Sequence, residues 1–338
     1  MPGRREILSM PIRKTPLFCL ILLALWFAAL QLGAQPSPSP LSLAVISDAP
    51  YTPQEEANFP ALIEDINHDP GITLVVHIGD FNNGGTTPCS DEVFLQVRQW
   101  FDLFQRPLIY TPGDNEWTDC HRWGLGGYDP SERLSRLREI FFPSEESLGQ
   151  KTIPLARQSR TPTYGKFREN ARWVADGTVF STLHIVGSNN NLGRTPADDA
   201  EHRERIDATL HWMREAFALA RSEKLDGVVL IMHADPYFEK RHGEKSGFRS
   251  FLLELEREVV AFKKPVLLIH GDTHTFRVDH PLRQQNHGRR VENFTRLESF
   301  GSPRMNWVKV TIDRRGPDFF KIEPRYFTAS LPDELPTP

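Results

Sequence analysis

Short runs of apolar, often β-branched residues alternate with segments of helical periodicity, and this alternation constrains the fold of the 338-residue chain more than any other feature. The predicted strands of this part lie at residues 41–47, 74–78, 108–111, 179–186, 228–232 and 266–269. The predicted helices lie at residues 57–67, 92–104, 133–141, 199–219 and 248–262. Strands that alternate with helices form βαβ units, so the pattern predicts a largely parallel sheet.

The pattern changes after His274. Residues 291–298, 307–312 and 319–327 have the composition of strands, with no helical segment between them, which predicts a second sheet, mixed or antiparallel. We therefore expect an α/β protein in which two sheets lie face to face with helices outside. The formal net charge of −4 provides no basic field for gathering nucleic acid, so a nucleic-acid partner is not supported.

The N-terminal residues have the order of a secretory signal. Basic residues within the first fourteen positions precede an uncharged apolar run at 16–32, and the small residues Gly33 and Ala34 follow. The run is shorter than the ~20 residues of a usual membrane-spanning helix. We expect a signal peptide at 1–34 that is cleaved, with an uncleaved anchor as the alternative, and a periplasmic or extracellular location for the protein.

The rest of the chain is predicted to be one folded domain with short flanks. Residues 35–40 form a proline and serine linker, which cannot build a helix or a sheet ladder. The domain is expected at 41–328, and a flexible tail at 329–338.

Cleavage of the signal would remove Cys19 and leave Cys89 and Cys120 as the remaining cysteines. Disulfides persist outside the cytoplasm, so we expect these two residues to pair. Such a bridge would connect the loops after the second and third predicted strands. The alternative is two buried free thiols.

Side chains that bind metals or form hydrogen bonds follow five of the predicted strands directly. They are Asp48, Asp80, Asp114 with Asn115, His233, and Asp272 with His274. Any one of these is weak evidence, because a lone Gly-Asp after a strand is usually a turn or a helix cap. Together they should converge, since ligands bind at the carboxyl ends of the strands in open α/β sheets. Four aspartates buried together would repel one another strongly, and two divalent cations would remove that conflict.

The order and spacing of these segments resemble the calcineurin-like metallophosphoesterase family over roughly residues 41–276. The usual signature of that family is Asp-x-His, Gly-Asp, Gly-Asn-His-Asp/Glu, a single His, and Gly-His-x-His. The resemblance implies a four-layer αββα sandwich of two mixed β-sheets, with the metal site at the carboxyl ends of the strands. It also implies that Asp80 bridges two metal ions. Carried over in the same way, the first ion is bound by Asp48 and His274, and the second by Asp114, His233 and Asp272.

Three positions depart from the family signature. Pro50 stands in place of a histidine, Asp114-Asn115 in place of Asn-His, and Asp272 in place of the first histidine of the last motif. More oxygen and less nitrogen among the ligands favours manganese, iron or magnesium over zinc. Asn115 would then orient the substrate instead of donating a proton, and His77 and His121 are the nearest other donors in the sequence.

The function implied by the resemblance is hydrolysis of a small phosphate mono- or diester by a metal-bound hydroxide. The alternative is a catalytically degenerate protein of the same fold that binds a metal or a phosphate. A serine hydrolase of the α/β type is excluded, because the sequence has no Gly-x-Ser-x-Gly segment.

Overall fold

The computed structural model describes Gly3, residues 40–286 and residues 288–328. Apart from Gly3, the predicted signal peptide lies outside the described residues, as do residues 35–39 of the predicted linker and the predicted tail at 329–338. Among the helices of the described residues, none combines the length and the apolar character needed to cross a membrane.

Twelve strands lie within residues 40–286 and 288–328 and form two sheets. The strands are β1 (Ser42–Ile46), β2 (Leu74–His77), β3 (Leu108–Tyr110), β4 (Ala156–Arg157), β5 (Ala171–Ala175), β6 (Thr178–Thr182), β7 (Gly227–Ile231), β8 (Val266–His270), β9 (Arg277–Asp279), β10 (Phe294–Glu298), β11 (Trp307–Ile312) and β12 (Phe320–Arg325). The first sheet has the order β12-β11-β1-β2-β3, and the second has the order β4-β5-β6-β7-β8-β10-β9.

The long helices of the described part follow the predicted ones, and the first four of them begin at polar caps. They are α1 (Pro53–His68), α2 (Asp91–Phe101), α3 (Pro130–Phe141), α4 (Pro196–Ser222) and α5 (Arg249–Phe262). The side chain before each of the first four accepts a hydrogen bond from a backbone N–H of the first turn, which satisfies a donor that has no partner within the helix. These capping residues are Thr52, Ser90, Asp129 and Thr195.

Three apolar clusters separate four layers. The first packs α1, α2 and α3 against the first sheet through side chains such as Phe59, Phe94 and Phe141. The second lies between the two sheets, and the third packs α4 and α5 against the second sheet. Each fully buried large side chain contributes about 1.5–3 kcal/mol, so these three interfaces hold the layers together. The arrangement is αββα with two mixed sheets, which confirms the predicted fold class.

The predicted division of the strands between the sheets is wrong. The parallel strands do not share one sheet, because β1, β2 and β3 pair in the first sheet while β6, β7 and β8 pair in the second. The strands after His274 do not form a sheet of their own either. Strand β10 extends the second sheet in parallel to β8, and β11 pairs antiparallel with β1. Apolar periodicity identifies a buried strand but does not identify its partner.

The register brings the carboxyl ends of the parallel strands to one edge of the sandwich. Ile46 pairs with His77, and His77 pairs with Tyr110, so β1, β2 and β3 end side by side. In the second sheet Ile231 pairs with Ile269, so β7 and β8 also end together. The loops that carry the predicted ligands leave the sheets at these ends.

Candidate metal centre

Backbone and side-chain hydrogen bonds join the loops that follow the parallel strands of both sheets. The N–H of Asp48 donates to the carbonyl of Gly79 at 3.1 Å, which ties the first loop to the second. Nδ1 of His233 donates to the carbonyl of Ile78 at 2.9 Å, which joins the two sheets. The N–H of Gly271 donates to the carbonyl of His233 at 2.9 Å. The five predicted segments therefore meet at one place.

Four of the six candidate ligands have left-handed backbone conformations. The φ angles are 52° at Asp48, 52° at Asp80, 79° at Asp272 and 61° at His274. Such conformations are uncommon outside glycine and cluster at functional sites, where the surrounding structure holds them. Close packing of the loops is the restraint here: a side chain at Gly113 would collide with Oδ1 of Asp80.

The imidazole of His233 is the centre of the cluster. Its Nε2 lies 3.0 Å from Oδ1 of Asp114, 3.4 Å from Oδ2 of Asp80 and 3.9 Å from Oδ1 of Asp272. Two groups of three potential metal ligands share this histidine: Asp48, Asp80 and His233, and Asp114, His233 and Asp272. Because Nδ1 is the donor to Ile78, the lone pair of the neutral ring is on Nε2, facing the carboxylates.

His274 lies at the other side of Asp48 and is in neither group of three. Its Nε2 is 3.5 Å from Oδ1 of Asp48, and its side chain is 29% exposed. Nδ1 donates to the carbonyl of Ser302 at 2.7 Å, so Nε2 of the neutral ring is free to act as a ligand. The structure thus places all six predicted ligands around one carboxylate cluster, with His274 at its exposed end.

The cluster is strongly acidic and lacks a basic counterpart. Across the described ranges, the four aspartates form ion pairs only with His233 and His274. Burial raises the pKa of Asp48 and raises that of Asp80 well above its ordinary value. Burial, and then the charge on Asp114, raise the pKa of Asp272 to about 7. Burial by itself would lower the pKa of His233, but Asp80 and Asp114 hold it well above the ordinary value. The free site therefore favours protons, which divalent cations would displace.

Among the described residues, three buried polar atoms of this cluster have no partner that satisfies hydrogen-bond geometry: Oδ1 of Asp48, and also Oδ1 of Asp114 and Nε2 of His233, which face each other at 3.0 Å. A buried polar atom without a partner is rare in native proteins, because its desolvation is not compensated. All three atoms are Lewis bases that face the same space. Their chemistry fits a metal ion as the missing partner.

Asn115 lies beside the cluster, and its amide is already engaged. Nδ2 donates to the carbonyl of Asn82 at 3.0 Å and to the hydroxyl of Tyr51 at 3.1 Å. The Tyr51 hydroxyl in turn donates to Oδ2 of Asp80 at 3.1 Å. Asn115 is therefore connected to the candidate bridging ligand through Tyr51.

Glu116 has a structural role that the sequence did not reveal. This buried carboxylate accepts hydrogen bonds from the N–H of Asp80 at 3.1 Å, the N–H of Gly113 at 2.7 Å and the hydroxyl of Tyr110 at 2.8 Å. It fixes the loops after β2 and β3 relative to each other. Its position directly after Asp114 and Asn115 can be recognised in the sequence, but the direction of its side chain cannot.

Ser188 is a second residue that the sequence did not indicate. The four-residue turn Gly187–Asn190 has positive φ angles at Ser188, Asn189 and Asn190. This conformation brings the Ser188 hydroxyl to 2.9 Å from Oδ2 of Asp114 and 2.8 Å from Oδ1 of Asp119. The hydroxyl supports the candidate ligand Asp114 from outside the cluster.

The two histidines considered as proton donors have other roles. His77 is buried, its Nε2 donates to the carbonyl of Ala49, and burial lowers its pKa to about 3. The expectation that His77 donates a proton to the leaving group is wrong, because the only proton of its neutral ring is used in a hydrogen bond within the core. His121 is exposed, and its Nδ1 donates to the carbonyl of Thr118 at 2.8 Å.

Cys89 and Cys120 form a disulfide with a Cα–Cα distance of 5.8 Å. Their sulfur atoms lie 3.3 and 3.5 Å from the carbonyl oxygen of Asn115. The bridge therefore packs against the loop that carries Asp114 and Asn115, and links it to the segment that follows Asp80.

Comparison with known proteins bears on the family and the fold of the chain. Residues 41–276 match the calcineurin-like phosphoesterase family. No curated protein sequence matches the chain. Among solved structures, PhoD is similar with a TM-score of 0.50 and 12% sequence identity, over 86% of this chain and 70% of PhoD. GAP50, the anchor in the inner membrane complex of Plasmodium, has a TM-score of 0.47 and 9% identity, over 86% of this chain and 90% of that chain. The family match spans well over half of the sequence and includes every candidate ligand, so the chain belongs to the calcineurin-like phosphoesterase family.

Proposed function

We propose that this protein is an exported, metal-dependent phosphoesterase that hydrolyses a phosphate mono- or diester of a small molecule. One observation carries the proposal. The unpartnered atoms of Asp48, Asp114 and His233 face one another in a buried acidic cluster, within a fold of the phosphoesterase family. A cluster of this kind fits cations far better than it fits an empty core, because four buried carboxylates otherwise repel.

In this proposal two divalent cations are held by Asp48, Asp80, Asp114, His233, Asp272 and His274. Asp80, and not the central His233, would be the ligand shared by the two cations, because a carboxylate has lone pairs on two oxygens, whereas a neutral imidazole has one. The oxygen-rich ligand set favours manganese, iron or magnesium over zinc. Such a pair of cations, when bound, acidifies a water molecule and neutralises charge on the phosphoryl group.

The residues of the chain itself position and polarise the site. Burial, and then the charge on Asp80, hold the pKa of Tyr51 well above its ordinary value, so its hydroxyl stays protonated. It then donates to Asp80 and accepts from Asn115. We assign Asn115 an indirect role in orienting the substrate, because its amide holds the Tyr51 hydroxyl against Asp80.

Export is supported by the disulfide between Cys89 and Cys120, because disulfides persist in oxidising compartments. The predicted signal peptide agrees with it. The proposed location is the periplasm or the extracellular space.

Hydrolysis of p-nitrophenyl phosphate and of bis(p-nitrophenyl) phosphate tests the proposal and separates monoesterase from diesterase activity. We expect turnover of at least one ester, loss of turnover with a chelator, and recovery with Mn²⁺ or Mg²⁺. The variant Asp69→Asn is a suitable control, because Asp69 pairs with Lys309 outside the cluster. Failure to turn over either ester after incubation with Mn²⁺, Fe²⁺, Mg²⁺ and Zn²⁺ would contradict the proposal.

A further inference from the structure

A cavity of about 330 Å³ opens between the turn Gly187–Asn190 and the loop after β7. It is lined by Asn189, Tyr237, Lys240, Arg241, His242, Lys245, Ser246 and Phe248. Three of these side chains are cationic and none is a carboxylate. The volume is within the range of small-molecule sites, and the charge suits an anion.

The three cations have no ion-pair partner among the described residues, although Glu244 lies in the same loop. Over the ranges 40–286 and 288–328, no ion pair includes Lys240, Arg241 or Lys245, and the nearby Glu239 is paired with Arg277 and Arg296. Nζ of Lys240 lies 3.5 Å from the centre of the Tyr237 ring, which holds the ammonium group at the cavity by a cation–π contact.

The loop that carries these cations is fixed by hydrogen bonds. Nε2 of His242 donates to the carbonyl of Tyr237 at 2.9 Å, and the Ser246 hydroxyl donates to Nδ1 of His242 at 2.7 Å. Across the cavity, Nδ2 of Asn189 donates to the carbonyl of Lys245 at 3.0 Å, and Oδ1 of Asn189 accepts from the N–H of Gly247 at 2.9 Å. A cavity that is shaped in advance binds its ligand with less loss of entropy.

Two short segments connect the lining of the cavity to the candidate metal centre. On one side Asn189 follows Ser188, whose hydroxyl contacts Asp114. On the other side the N–H of Tyr237 donates to Asp235 at 2.8 Å, and the N–H of Asp235 donates to Asp272 at 3.1 Å. Tyr237 has a φ angle of 53°, which is an unfavourable conformation for an aromatic residue and is typical of ligand-binding positions.

We infer that this cavity binds a second anionic group of the substrate, so that the preferred ester carries a further phosphate or carboxylate group. The inference rests on the proposed function and narrows its substrate class. In the loaded centre two divalent cations balance the charge of the four aspartates, so a further anionic group of the substrate needs cations of its own, which the cavity supplies. A second cavity of about 1030 Å³ shares Lys240, Arg241 and His242. It is lined by further cations and by the carboxylates Glu239, Glu256 and Asp279, so it offers room for the remainder of the ligand but no second purely cationic site.

Two nucleotides that differ by one phosphate test the inference: adenosine 5′-monophosphate and adenosine 3′,5′-bisphosphate. The variant Arg241→Gln with Lys245→Gln removes two exposed charges, and Lys151→Gln removes an exposed charge elsewhere. We expect kcat/KM of the double variant for the bisphosphate to be lower by about tenfold or more, mainly because KM rises. The loss of a charge-assisted contact has an effect of this size on affinity. The values for the monophosphate and for p-nitrophenyl phosphate should stay within about twofold. Equal losses for all three compounds, or no loss, would overturn the inference.

Calorimetric binding of adenosine 3′,5′-bisphosphate distinguishes this failure from failure of the proposed function. If the natural protein hydrolyses none of the esters, the proposed function fails, yet affinity can still be compared between the natural protein and the two variants. Weaker binding by the double variant and unchanged binding by Lys151→Gln would support an anion site. Absence of binding, or equal affinities in all three proteins, would overturn it. Unchanged melting temperatures exclude a loss of fold.

Discussion

Nε2 of His233 and Oδ1 of Asp114 lie 3.0 Å apart, and among the described residues neither atom has a partner that satisfies hydrogen-bond geometry. Two ligands bound at right angles to one cation, at about 2.1 Å each, are separated by about 3 Å. The two side chains come from different sheets, so their approach is set by the fold as a whole. This spacing fits a cation bound by both side chains.

The variant Asp80→Asn should abolish hydrolysis, by more than about a hundredfold, and lower metal content more than any other single ligand substitution. The reason is that only Asp80 is proposed to contact both cations. Elemental analysis and ester hydrolysis, measured on Asp80→Asn, Asp48→Asn and the control Asp69→Asn, check the prediction. Equal metal content in Asp80→Asn and the natural protein would refute the bridging assignment.

Metal removal should make stability depend on pH through Asp272. Its pKa is raised to about 7 in the folded protein, above the ordinary value of 3.8. A raised pKa in the folded state stabilises the fold fully below the unfolded pKa, and this contribution is lost as the pH rises through the folded pKa. The melting temperature of the chelated protein should therefore fall between about pH 4 and pH 7. The variant Asp272→Asn should show a smaller fall. An equal fall in both proteins would assign the effect to other groups.

Because position 115 is not a histidine, the rate of hydrolysis should depend strongly on the leaving group. A nitrophenolate leaves without protonation, whereas an alkoxide leaving group needs a general acid, which contributes about 10²–10⁴-fold. We expect p-nitrophenyl phosphate to react far faster than an alkyl phosphate. Asn115→His should improve the alkyl ester selectively, by about tenfold or more. Comparable rates for both esters in the natural protein would show that another acid protonates the leaving group.

Reduction of the Cys89–Cys120 disulfide should lower thermal stability and weaken metal binding together. The bridge closes a loop with a sequence separation of 31, which corresponds to about 3–4 kcal/mol in the chain-entropy model. It also packs against the backbone of Asn115. The variant Cys89→Ser with Cys120→Ser should reproduce both effects. Alkylation of both thiols in the mature protein without prior reduction would show that the disulfide does not form.

The sequence was sufficient for the layers and for most elements, because buried strands and amphipathic helices have distinct periodicities. Strand β11 occurs at the predicted residues 307–312, but helix α1 begins at Pro53 and not at residue 57. Its first turn is polar and is defined by the cap at Thr52, which apolar spacing does not detect. Strands β4, β5 and β9 were missed, because they are short or partly exposed.

The candidate ligands could be chosen from the sequence because each follows an apolar strand directly. The residues that hold these ligands in place could not be chosen from the sequence in the same way. The composition of Gly187-Ser-Asn-Asn190 suits a left-handed turn, but it does not indicate that this turn brings Ser188 to Asp114. Likewise, the sequence of the cationic loop from Lys240 to Lys245 does not differ from that of a solvated loop. Only the structure shows that the loop packs against Asn189.

Metal content per chain, measured by elemental mass spectrometry on protein purified without chelator, tests the central claim most directly. The account predicts close to two divalent cations per chain, together with hydrolysis that a chelator abolishes. A metal content near zero after incubation with Mn²⁺, Fe²⁺, Mg²⁺ and Zn²⁺, with no hydrolysis of p-nitrophenyl phosphate, would contradict it and would favour a binding protein of the same fold.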